Sequence, residues 1–147
     1  MANLSAEEFA AKVRNYAQKT VQVIAHEVTA KVFTQLATTI LQTTPVLTGH
    51  ARHNWVLTID QPATDEVAGV AGVNLTGDPL TPDEVLELQS IVEQFIGDPS
   101  TTTLYLANNA PYIGQLDQGT SAKAPAGIVQ PSITASLALL RDKKGVV

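Results

Sequence analysis

The chain predicts an α+β fold: a long N-terminal helix, a small antiparallel β-sheet of three to four strands, and short middle and C-terminal helices. Two observations carry this. From Ala6 to Thr43 apolar residues recur every three or four positions with no glycine or proline between them, the period of a helix face. After Pro45 the period drops to two, with Trp55, Leu57 and Ile59 alternating with Val56 and Thr58, as in a half-buried strand. A chain of 147 residues is long enough for one real core, so residues 1–147 are expected to form a single domain.

The first helix has a written start and stop. Ser5-Ala6-Glu7-Glu8 is a capping box, in which the Ser5 hydroxyl accepts from the Glu8 amide and the Glu8 carboxylate reaches back. Glu7 and Glu8 also sit where the helix dipole favours anions. Pro45 pushes Thr44 out of the α region, which bounds the helix at about residues 6–43, roughly 55 Å long. Val13, Ala17, Val21, Ile24, Val28, Val32, Leu36 and Ile40 form one stripe, read as the buried face. Phe9, Tyr16, Val23 and Phe33 lie off it. So long a helix with so few charges favours contacts to neighbouring subunits, with Tyr16 and Phe33 as the named candidates. A kinked helix folded on itself is the simpler alternative.

Pro45 and Gly49 build the following turn, and strands are expected at about 52–60, 66–74 and 101–107. Trp55, the sole tryptophan, is the expected core anchor at the start of the first. The middle helix begins at Thr81, with Pro82 at the first helical position and Asp83 and Glu84 in the first turn. Its apolar face is Val85, Leu88, Ile91, Val92 and Phe95, and Gly97 stops it. Residues 108–127 are dense in proline and glycine, and so long a loop within a compact domain is usually functional. Proline at 111 and 125 stiffens it, and Gly119 and Pro125 shape its turns. Tyr112, Ile113 and Leu116 give it apolar side chains that a free loop would not expose, which marks it as a docking element with Asp117 at the rim. Ile128-Val129 could add a brief strand. A C-terminal helix is expected at about 131–142, with Ile133, Leu137 and Leu140 inward and Arg141, Lys143 and Lys144 at its negative end.

Composition narrows the function. Charged residues make up 16% of the chain and apolar residues 44%; the charged share is low against the roughly 25% of a typical soluble domain. Part of the surface is therefore expected to be covered by protein. No apolar run reaches the ~18 residues of a membrane span, and no basic segment followed by an apolar one marks a secretory signal. The absence of cysteine removes disulfides, thiolate metal sites and cysteine nucleophiles, and fits assembly in a reducing cytoplasm. A net charge of −5 opposes sequence-independent DNA binding, which needs basic clusters.

Nothing in the chain predicts catalysis, a metal or a cofactor. His50 and His53 have H-x-x-H spacing but no third ligand nearby, and are read as polar turn residues. Asp60, Asp65, Glu66, Asp78, Asp83 and Glu84 read as solvated loops and helix caps rather than as a carboxylate pair with one raised pKa. Gly114 to Gly119 lacks the spacing of a phosphate-binding loop. Ser121 and Ser132 have no histidine placed by any motif. Arg52 is the only arginine between Arg14 and Arg141. Its fork of donors suits a carboxylate or loop carbonyls, and the 108–127 segment with Asp117 is the expected partner, within or between subunits.

Two blocks also carry a resemblance. Thr44-Pro45-Val46-Leu47-Thr48-Gly49-His50-Ala51-Arg52-His53-Asn54-Trp55 and the run from Asn108-Asn109-Ala110-Pro111-Tyr112 through Leu116-Asp117-Gln118-Gly119 to Ala124-Pro125-Ala126-Gly127 resemble the neck and tail-completion proteins of long-tailed bacteriophages. The likeness covers 44–55 and 108–129, about a quarter of the chain, in the family's order and spacing. Leu47 stands where that family has an acidic residue and His50 where it has its first basic one, so a salt bridge at those positions is not carried over. Asp117 keeps the family's acid in a shorter side chain. The resemblance implies a non-enzymatic virion subunit, made in the host cytoplasm, that forms a homomeric ring at the neck or tail end, a hexamer or dodecamer. Its partners would be itself, the connector or stopper and the tail-tube or tail-terminator proteins, with DNA passing through the channel without specific binding and no membrane. The alternative from another class is a cytoplasmic oligomeric adaptor or inhibitor of α+β fold.

Overall fold

The structure, a computed structural model, describes residues 3–69 and 76–142. The fold is α+β, ordered α1 (Ala6–Thr43), α2 (His50–His53), β1 (Trp55–Ile59), α3 (Pro82–Gly97), β2 (Leu104–Asn108), α4 (Ile113–Asp117) and α5 (Val129–Asp142). Helix α1 starts at the expected capping box, with Ser5 N–H donating to Glu8 (2.8 Å) and Glu8 N–H to the Ser5 hydroxyl (3.1 Å). At 38 residues it is ~57 Å long. Threonines in a helix compete for backbone groups. Here the hydroxyls of Thr20, Thr34, Thr38 and Thr39 donate to carbonyls four residues back, which satisfies them without a break.

Among the described residues the sheet has two strands, not three or four. β1 and β2 pair antiparallel, with Trp55 opposite Asn108 and Ile59 opposite Leu104. The expected 66–74 strand lies partly outside the described residues. Its described beginning, Glu66 to Gly69, is irregular because Asn54 captures it: Val67 N–H donates to Asn54 Oδ1 (2.7 Å) and the Asn54 amide donates to the Val67 carbonyl (3.2 Å). The first strand begins at Trp55 rather than 52, because Gly49 (φ 87°) turns the chain into the short helix α2. At its far end Asp60 adopts φ 61°, and its Oδ1 accepts from the backbone N–H groups of Thr102 and Thr103. Those bonds hold its carboxyl below the ordinary carboxylate range.

The core lies between α1, the sheet and the other helices. Ile40, Leu41, Trp55, Ala124 and Ile128 form one cluster, and Ala37, Leu57 and Leu88 a second. Trp55 is buried as expected, and its indole N–H donates to the Thr44 hydroxyl (2.8 Å), which itself donates to the Ile40 carbonyl (2.7 Å). Helix α3 forms under its own capping box at Thr81 and Glu84 and buries Leu88 and Phe95. Helix α5 starts at Val129, so Ile128-Val129 is no strand. It presents Ser132, Ser136 and Leu140 inward and leaves Leu137 exposed, since small serines let it approach α1 closely. The Ser136 hydroxyl donates to Thr39 Oγ1 across that contact (3.2 Å). Lys143 and Lys144 lie outside the described residues.

The stripe expected to be buried along α1 is inward only at its C-terminal end, where Leu36 and Ile40 join the core. Val13, Val21, Ile24, Val28 and Val32 are exposed, as are Phe9, Tyr16 and Val23. The side facing the body instead carries Gln22, His26, Ala30, Phe33, Ala37 and Ile40. The Gln22 amide donates to the Pro99 carbonyl, His26 Nε2 bonds the Thr101 carbonyl (2.8 Å), and the His26 ring stacks on Phe95. Phe33, expected at a subunit contact, packs against the Ala37–Leu57–Leu88 cluster.

Candidate functional site

The two sequence blocks, sixty residues apart, meet at the C-terminal end of α1. Asn108 joins them directly: its side-chain amide donates to the Ala51 carbonyl (2.7 Å) and its Oδ1 accepts from the Ala110 amide (3.0 Å). Lys123 reaches back from the second block to the Val46 carbonyl (2.9 Å). Between the blocks lies an open, largely apolar recess of about 810 Å³, walled by the Pro45–Ala51 turn on one side and by Tyr112, Leu116 and Ser121–Lys123 on the other. Leu47 stands at it 95% exposed. Such an exposed side chain is not a core residue.

The second block is a folded corner rather than a free loop. Tyr112 leads into α4, whose Ile113 and Leu116 pack on the Trp55 cluster. Tyr112 is more exposed and faces the recess. Burial raises its hydroxyl pKa, helped by the nearby Glu66 charge. Asp117 stays exposed, and its Oδ1 accepts from the amides of Ile128 (2.9 Å) and Val129 (2.8 Å). It therefore caps α5, where orphan amides and the dipole favour an anion. Gly119 and Gly127 both hold φ 87°, and a Cβ at either would strike backbone, the Pro125 carbonyl in one case and the Asp117 carbonyl in the other. The corner closes only because two backbones touch where side chains are missing.

Arg52 is not where the sequence argument put it. It is 1% exposed and pairs with Glu84, Nε to Oε1 and Nη2 to Oε2 both at 2.8 Å, while Nη2 also donates to the Pro79 carbonyl (3.2 Å). Because Asp117 is taken by α5, the fork goes to the other carboxylate held at a helix start. Burial pushes the Glu84 carboxyl up, but the Arg52 fork, the Thr81 amide and the arginine charge outweigh it and hold it below the ordinary range. The pair thus fixes the first block to α3. Its sequence signal was the Thr81–Glu84 capping box, whose acid has a second oxygen to offer.

His50 and His53 do not converge with a third ligand, and no metal-ligating cluster exists among the described residues. His50 Nδ1 faces the Gly69 carbonyl and Nε2 faces Glu66 Oε1, both at 2.7 Å. Two acceptors ask both ring nitrogens to donate, which only the imidazolium can do. The Gly69 carbonyl first and the Glu66 carboxylate second raise its pKa above the ordinary 6.5. The ring lies 6.2 Å from that of Tyr112, so this latch forms one wall of the recess. Leu47, His50 and Lys123 line the recess, which sequence periodicity could not mark. Comparison of the chain with protein-family models, with curated proteins and with solved structures finds no match. No described helix is long and apolar enough to cross a membrane.

Proposed function

We propose that this chain is a structural, non-enzymatic virion subunit that forms a homomeric ring at the neck or tail end of a long-tailed phage, completing the tail and joining it to the head connector. The observation that supports this most is the convergence of the two blocks. Residues recognised as a split pattern meet at one corner and line one apolar recess, with polar groups that mostly hold the corner together. The exposed apolar length of α1 adds a second surface that a solitary subunit would not keep wet. Tyr112 and Leu47 are the contact residues of the recess, while Arg52, Asp117, Gly119 and Pro125 keep its walls in place. Neighbouring connector, stopper or tail-terminator rings are the partners, and DNA passes the acidic subunit without specific contact.

Complementation tests the reading. A phage lacking the chain should yield unjoined heads and tails, and the wild-type chain should restore infectious, tailed particles. Tyr112→Ala with Leu47→Asp should be expressed and folded yet fail to restore joining. Normal tailed particles without the chain would refute the virion reading and favour the adaptor. Full rescue by the double variant would refute the recess as the docking surface.

A further inference from the structure

Lysine and arginine are scarce beyond α1. Between Lys31 and Arg141 lie ten aspartates and glutamates but only one arginine and one lysine, Arg52 and Lys123. Arg52 is buried and paired with Glu84. Lys123 is exposed and takes part in neither ion pair formed among the described residues. It lines the recess between the two blocks, where its Nζ donates to the Val46 carbonyl on the opposite wall (2.9 Å). That bond ties the ammonium down and uses one of its three donors. No described aspartate or glutamate lines the recess. His50, the other ionisable nitrogen in its walls, already faces Glu66.

We propose that the recess holds a segment of a partner protein in which an aspartate or glutamate side chain stands beside aliphatic or aromatic residues. The carboxylate meets Lys123, and the apolar side chains fill the space between Leu47 and Tyr112. Charge complementarity selects this occupant. Whatever fills an apolar recess strips water from the groups that line it, and a covered ammonium is costly unless an anion meets it. An uncharged apolar segment would leave Lys123 in that condition, and a basic one would add repulsion. A carboxylate accepts from the two donors that Val46 leaves free, in charge-assisted bonds. A nucleic acid fits poorly: a polyanion needs a cluster of cations, and here one free lysine stands among ten acids. The volume of about 810 Å³ falls within the ~300–1,000 Å³ of sites that enclose a compact ligand, so a few side chains of one segment fill it. The inference rests on the recess being the docking surface named above, but not on the virion role.

Selection of a displayed random peptide library on the full chain tests this. The wild-type chain should enrich peptides with aspartate or glutamate beside leucine, isoleucine, valine or an aromatic residue. A synthetic peptide from that pool should bind at least ~tenfold more weakly to Lys123→Met, at unchanged circular dichroism, and about equally to Lys123→Arg. Lys123→Glu should enrich peptides with lysine or arginine instead. Leu47→Asp with Tyr112→Ala should lose the peptide, which places it in the recess. Enrichment without an acid, no enrichment, an affinity indifferent to Lys123→Met, retention by the double variant, or displacement of the peptide by a short DNA duplex would each overturn the proposal. In complementation Lys123→Met should join heads to tails poorly. Its full rescue where the double variant fails would strike the acidic partner and leave the recess as the docking surface. Tailed particles formed without the chain would strike the virion role and leave the peptide selectivity standing.

Discussion

The two halves of α1 share one secondary structure and have opposite fates. Residues 6–25 carry five alanines and one threonine and residues 26–43 two alanines and five threonines, yet both lack glycine and proline, and both are helical. The second half buries Ala30, Ala37, Ile40 and Leu41 under the sheet and α5, whereas the first buries nothing in its own chain and holds valines and aromatics in water. Periodicity measures only whether a helix has an apolar side. It does not say whether that side meets the same chain, and in α1 the body sits on the more polar side at Gln22 and His26. The first half owes its form to the capping box and to continuity with a packed second half, because lone helices gain little from propensity.

The largest effects are expected at the core corner. Trp55→Ala should cost ~3–5 kcal/mol in denaturant unfolding, because it empties the Ile40–Leu41–Ile128 cluster and strips Thr44 of its donor. A loss below ~1 kcal/mol would mean that the corner is not the centre of stability. Glu84→Gln should cost about 3 kcal/mol by leaving Arg52 buried without a counter-charge, read by the same measurement. Two glycines with the same backbone sign separate space from strain. Gly127→Ala should cost ~2–3 kcal/mol, since its Cβ meets the Asp117 carbonyl, and Gly77→Ala only ~1 kcal/mol, since nothing lies within 4 Å of it.

On the other half of the helix the same chemistry should hardly register. Tyr16→Glu should change monomer stability by no more than ~0.5 kcal/mol, whereas Phe33→Glu should unfold the monomer because Phe33 packs on Leu57 and Leu88. Thermal melting of the two variants side by side checks this, and equal losses would erase the distinction between the halves. The smallest effects are those of pH. His50 has its pKa raised above 6.5, so the stability from its latch is complete below pH 6.5 and fades as pH rises through the folded value. Glu84 and Asp60 have theirs lowered from 4.5 and 3.8, so their share is present above those values and fades as pH falls through the folded ones. Melting temperature against pH should therefore decline at both ends, and His50→Gln should remove the alkaline decline alone.

Much of the candidate corner was legible. Pro45, Gly49, Trp55 and Gly119 stand out as residue types that stop, turn or fill, and each does so in the structure. The Arg52 partner was not legible. Asp117 and Glu84 are both acids beside a helix start, and the choice between them is made in space: Asp117 turns to the α5 amides, leaving Glu84 to the guanidinium. Likewise Ile113 and Leu116 announce themselves as apolar residues in a loop-like segment, but whether they face a partner or the core depends on where α4 is laid, and it is laid on the Trp55 cluster.

The local events follow from residue order alone: where α1 and α3 begin, where proline ends α1, and which residues alternate in β1. These depend on bonds between groups a few residues apart, and such groups are adjacent in any fold. Which side of α1 is inside, which carboxylate Arg52 meets, and whether two blocks sixty residues apart share one recess are set by packing. Those outcomes depend on contacts that close long loops, and the same local pattern is compatible with several of them until packing selects one.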